Sequence, residues 1–143
     1  MSSQNVHLIV NKLLSFESGG CVKFDLKAYD ENVHLALTGV TNRRTLENFR
    51  RLAALSIKRP DPPFLIASTL LVPGYVDEIE ISNLSRFIAE LNPAIPYTLL
   101  GYYPHFYMTD LPRASWKHAQ RCVGICREAG LLRVKLGNPH LFS

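Results

Sequence analysis

The chain has 143 residues, 47% of them hydrophobic and 20% charged, and carries a net charge of +4. That length fits a single domain over residues 1–143, and the balance excludes both a disordered and a fibrous chain. No apolar run approaches the roughly 20 residues of a membrane span, and the first residues lack the basic-then-apolar pattern of a secretory signal, so a cytoplasmic protein without a membrane partner is expected. The three cysteines, an odd count, read in that setting as free thiols.

Apolar residues at Val6, Ile9, Val10, Leu13 and Leu14 recur at helical spacing before Gly19 and Gly20 end the segment. Next, Val22, Phe24 and Leu26 alternate with Lys23, Asp25 and Lys27, the period of a strand with one apolar and one polar face. Asp30 is placed to cap a short helix with Val33 and Leu37 turned inward, and Gly39 can end it in the left-handed conformation. Asn42 or Thr45 can cap a second helix that buries Leu46, Phe49, Ala53 and Ile57, stopped by the proline-rich segment 58–63.

The run from Phe64 to Val72 is almost continuously apolar, as in a strand covered on both faces, and Pro73 and Gly74 turn the chain. Asp77 starts a helix with Ile81, Leu84, Phe87, Ile88 and Leu91 inward, closed by Asn92 and Pro93. A strand from Tyr97 to Gly101, an aromatic loop to Pro112, a helix capped by Ser115 that buries Trp116, Ala119, Val123 and Cys126, and a strand from Leu132 to Leu136 complete the chain. Strands separated by helices, with no hairpin signal, predict an α/β fold: repeated βα units on one parallel sheet of about four strands with right-handed crossovers.

Among the residues able to do chemistry, Asp25 and Lys27 stand two apart and so share one face of their strand. His105 lies in the loop at the end of the sheet where parallel α/β proteins bind ligands. Cys122 and Cys126 form a C-x-x-x-C, but one turn apart inside an amphipathic helix they read as core packing, and Cys21 reads as packing beside the glycine turn. The basic pairs Arg43-Arg44, Arg50-Arg51 and Lys58-Arg59 have no interleaved aromatic residues, so they read as a solvated helix face and nucleic acid is not an expected partner.

The run DLKAYDENVHLALTG, the following TNRRTLENFRRL and the later LLVPGYVDE resemble the second half of a radical S-adenosylmethionine protein of the pyruvate formate-lyase-activating-enzyme type. The resemblance covers the chain from Ser18 onward. It implies a partial TIM-like barrel of an oxidoreductase family whose members use S-adenosylmethionine and a 4Fe-4S cluster. It further implies that Lys27 faces the carboxylate of the cofactor and that Asp25 helps bind the cofactor and a monovalent cation. By the same likeness the backbone at Val72 lines the site, Ser68 stands where several members carry an arginine, and His105 approaches the adenosine, although its motif here is lengthened by a residue or two.

The family's C-x-x-x-C-x-x-C cluster motif and its glycine-glycine-glutamate motif do not occur in the sequence; after Cys122 and Cys126 the third position is Ala129. The expectation is therefore a truncated domain: the carboxy-terminal fragment of an activating enzyme that contributes part of the cofactor site and substrate groove but is not competent alone. Its expected partners are the missing half, or a second copy joined through the open edge of the Val22–Leu26 strand, and the parent would act on a protein or a small molecule. The alternative is a catalytically inactive protein-interaction or regulatory module.

Overall fold

A computed structural model describes residues 21–58, 63–101, 115–138 and 142 of the chain. Four strands, β1 (Val22–Asp25), β2 (Leu65–Leu71), β3 (Tyr97–Gly101) and β4 (Val134–Gly137), form one sheet in the order β1-β2-β3-β4. All neighbours run parallel. Between the strands lie α1 (Glu31–Thr38), α2 (Arg43–Ser56), α3 (Glu78–Leu91) and α4 (Trp116–Glu128). Each crossover joins adjacent strands in the same direction, so right-handed connections lay every crossover helix on one face of the sheet. This is the sequential winding of a partial TIM-like barrel rather than a doubly wound sheet.

The helix-facing side carries Ala67, Thr69 and Leu71 of β2 with Tyr97 and Leu99 of β3, all buried against Phe49, Leu52, Ile81, Leu84 and Ile88. Phe24 of β1 joins this layer through an edge-on contact with Phe49 at 5.5 Å between ring centres. The opposite side carries Lys23, Asp25, Ile66, Ser68, Leu70, Thr98, Leu100 and Lys135, none of them buried. β2 therefore alternates between a buried and a half-buried face instead of being covered on both, because among the described residues no helix packs on the second side. On that second face a Cβ at Gly137 would lie 2.6 Å from Leu100 Cδ2, so the leucine side chain would have to shift to admit one.

Local signals set the helix ends. The Asp30 carboxylate accepts from the Asn32 and Val33 amides, and Gly39 closes α1 at φ 78°. Ser115 caps α4 by accepting from the His118 amide. Several expected burials are revised. Ile57 is 62% exposed because it lies at the C-cap of α2, and Leu52 joins Phe49 and Ala53 on the buried face. Trp116, in the first turn of α4, is 45% exposed, with its ring edge-on to Phe142. Cys21 is exposed rather than packed. The expected first helix of residues 6–14, most of the proline-rich segment and the aromatic loop lie outside the described residues. No helix among the described residues is long and apolar enough to cross a membrane.

Candidate functional site

Sheet register puts Asp25 beside Ser68, Ser68 beside Thr98, and Thr98 beside Lys135. Partners in a parallel ladder point to the same side, so these four polar residues form a row across the uncovered face. Lys27 lies just past the end of β1, yet extended backbone continues through Leu26, whose amide bonds the Ser68 carbonyl at 2.8 Å. Alternation is thereby kept, and the Lys27 ammonium meets the Asp25 carboxylate at 2.6 Å with both side chains about half exposed. Asp25, Lys27 and Ser68 thus come together toward the carboxyl ends of the strands, the end at which βα barrels bind their ligands.

The segment carrying this pair is held by buried side chains from other elements. Thr69 donates its hydroxyl hydrogen to the Leu26 carbonyl at 2.7 Å, and the Tyr97 hydroxyl donates to Thr69 Oγ1 at 2.6 Å. Burial pushes the Tyr97 phenol well above its usual 10.0. Asn42 donates to the carbonyls of Ala28 at 3.2 Å and Tyr29 at 2.6 Å. The Glu80 carboxylate, 5% exposed, accepts the Tyr29 amide at 2.9 Å and the Asp30 amide at 3.0 Å. Residues 26–30 therefore have fixed main-chain partners on β2, α3 and the start of α2.

Sequence reading missed this clamp. Asn42 does not cap α2 with its side chain, because that amide is spent on the preceding loop. Glu80 left one legible sign: it falls on the buried face with Leu84 and Phe87 at i+4 and i+7, where a carboxylate must find donors. Val72 has a buried side chain, and its carbonyl accepts from the Tyr75 and Val76 amides in the turn. His105 lies outside the described residues.

Among the described residues the second face is an open sheet, and two clefts lie away from its centre. One cleft of about 560 Å³ flanks the outer edge of β1 and includes Lys23, Asp25 and Arg44. Another of about 710 Å³ lies among Asp30, Tyr75, Asp77, Glu78 and His118, away from the polar row. Cys122 and Cys126 are both fully buried, and desolvation pushes each thiol from 9.0 up to about 12.

A solved domain of a pyruvate-formate lyase-activating enzyme from Bacteroides vulgatus superposes with a TM-score of 0.74 over 96% of this chain and 75% of that one, at 25% identity. The chain accordingly has the TIM-like α/β architecture of a radical S-adenosylmethionine fold. A Methanocaldococcus jannaschii protein that carries the name glycyl-radical enzyme activating enzyme is 34% identical over 82 residues, 57% of this chain and 30% of that protein. The isethionate sulfite-lyase activating enzyme of Desulfovibrio desulfuricans is 39% identical over 98 residues, 64% of this chain and 30% of that enzyme. The chain is thus similar to proteins named as activating enzymes of this kind, and it spans only about 30% of the length of the curated relatives it matches. No family model matches the sequence.

Proposed function

We propose that the chain is the carboxy-terminal part of a glycyl-radical-enzyme-activating enzyme, that it contributes one wall of the S-adenosylmethionine site, and that it does not catalyse alone. The main support is the Asp25–Lys27 pair, 2.6 Å apart, half exposed and held by a buried scaffold. Lys27 would meet the cofactor's carboxylate, and Asp25 would position that lysine and help hold a monovalent cation. Ser68 next to Asp25 adds a neutral donor, with backbone near Val72 and the side chain of His105 completing the wall. S-adenosylmethionine would supply the radical chemistry, and the residues of this chain would bind and orient it.

Cys122 and Cys126 do not fit a 4Fe-4S cluster. Cluster ligands are thiolates, whereas Cys122 and Cys126 are buried in the helix layer and held protonated to about pH 12. Among the described residues no three His, Cys, Asp or Glu side chains are grouped to hold a metal ion. The cluster would belong to the other part of the parent enzyme, which would also extend the sheet from β1. The relatives' names point to a glycyl-radical enzyme as the protein the parent acts on. Free cysteines are in keeping with a cytoplasmic location.

Titration calorimetry of the 143-residue chain with S-adenosylmethionine tests the reading. Weak binding is expected, falling about tenfold in Lys27→Ala and in Asp25→Ala as a charge-assisted contact is lost. Absence of heat at millimolar cofactor, or affinity in both variants unchanged from the parent chain, would overturn it.

A further inference from the structure

Glu80 lies in the first turn of α3 with its side chain buried, yet no cation among the described residues pairs with it. A carboxylate taken out of water is costly unless donors meet its oxygens. Here both oxygens are spent on one turn of main chain. Oε2 accepts from the Tyr29 amide at 2.9 Å and Oε1 from the Asp30 amide at 3.0 Å, with a longer second bond from the Asp30 amide to Oε2 at 3.4 Å. The N-terminal end of a helix also favours a negative charge at this place.

The turn that Glu80 holds joins three elements. Lys27 stands two residues before Tyr29 on the backbone leaving β1, and Leu26 just before it is fixed to β2 by its amide on the Ser68 carbonyl and its carbonyl on the Thr69 hydroxyl. The main chain of Lys27 is thus suspended between an anchor on β2 and an anchor on α3. On the far side, Asp30 turns its own carboxylate to the Asn32 and Val33 amides and starts α1. The Tyr29 ring adds a contact with Phe87, farther along α3, at 5.7 Å between ring centres. Since α3 follows the Val72–Val76 turn at the end of β2, one side chain ties that turn to the exit of β1.

We propose that Glu80 is a positioning residue that aims the Lys27 ammonium through the main chain of residues 28–30, and that it does so as a carboxylate with two acceptor oxygens. This inference rests on the reading of Lys27 as a cofactor contact and adds the residue outside the sheet that fixes its direction. Glutamine is nearly isosteric but has one acceptor oxygen, so its NH2 group would oppose one of the two amides.

Amide hydrogen exchange of the 143-residue chain without ligand, and calorimetry with S-adenosylmethionine, test the proposal together. In Glu80→Gln, exchange at Tyr29 and Asp30 should quicken about tenfold and at Leu26 about threefold, while the β3 amides keep their rates. S-adenosylmethionine should bind about fivefold more weakly to Glu80→Gln than to the unaltered chain. That loss should vanish in the Lys27→Ala background, because Glu80 acts through Lys27, whereas a purely structural role would cost the same in both backgrounds. Equal losses in the two backgrounds, or exchange at Leu26 unchanged by Glu80→Gln, overturn the proposal. If Glu80→Gln does not fold, Glu80→Asp, which keeps the charge and shortens the reach, takes its place with the same expectations. If the unaltered chain binds no cofactor, the cofactor reading fails, and exchange at Leu26 decides whether Glu80 sets the exit of β1.

Discussion

Thr69→Val tests the clamp behind the Asp25–Lys27 pair. Thr69 and Tyr97 are both 0% exposed, and the threonine hydroxyl accepts from Tyr97 while donating to the Leu26 carbonyl. Valine keeps the shape but leaves the tyrosine hydroxyl and the carbonyl without this partner. At about 1–3 kcal/mol for each stranded buried group, with the carbonyl toward the lower end, the loss should be about 2–4 kcal/mol. For a chain of this size that is roughly 6–12 °C in Tm. Tyr97→Phe removes the donor itself and leaves the Thr69 to Leu26 bond intact, so about 1 kcal/mol is expected. The double variant should cost less than the sum, by about 1–2 kcal/mol, because phenylalanine has no hydroxyl to strand. Urea unfolding followed by circular dichroism measures all three. A Thr69→Val loss below about 0.5 kcal/mol, or additive single losses, would refute the reasoning. Since Leu26 sits between Asp25 and Lys27, Thr69→Val should also weaken cofactor binding more than Tyr97→Phe does.

At Ser68, arginine in place of serine would offer a charged fork to the cofactor's carboxylate, and calorimetry should show S-adenosylmethionine binding about tenfold tighter; unchanged or weaker binding by a folded variant would remove Ser68 from the proposed site. Alkaline pH probes the buried acids. Cys122 and Cys126 stay protonated to about 12 in the fold, against 9.0 ordinarily, and Tyr97 is raised above 10.0. Above pH 9 the unfolded chain has lost protons that the folded chain keeps, so this stabilisation is complete below 9 and drains away as pH rises toward 12. The slope is at most about 1.4 kcal/mol per pH unit for each group. Urea midpoints from pH 7 to 11 should fall accordingly, and the Cys122→Ala, Cys126→Ala double variant should fall less steeply from a lower start; identical slopes would contradict the assignment.

The sequence by itself determined the succession of elements, because period-two alternation, caps and helix stops are local. Asp30 and Ser115 cap the helices they were expected to cap, and the run from Phe64 to Val72 contains β2. It also put Asp25 and Lys27 on one side, since alternation continues through Leu26 beyond the formal end of the strand. The likeness to activating enzymes was also legible in the order of short motifs. Errors arose where an element ends, as at Ile57 and Trp116, since helical periodicity continues past the point where the neighbouring surface stops.

Only the tertiary structure decided how residues distant in the chain meet. Asn42, Glu80 and Tyr97 converge on residues 26–30 either directly or through Thr69, and the polar row from Asp25 to Lys135 exists only because four strands align in one register. The physical reason is that spacing along a chain constrains nearby neighbours alone. Register, burial and the choice of which sheet face stays open are settled when helices compete to cover apolar surface.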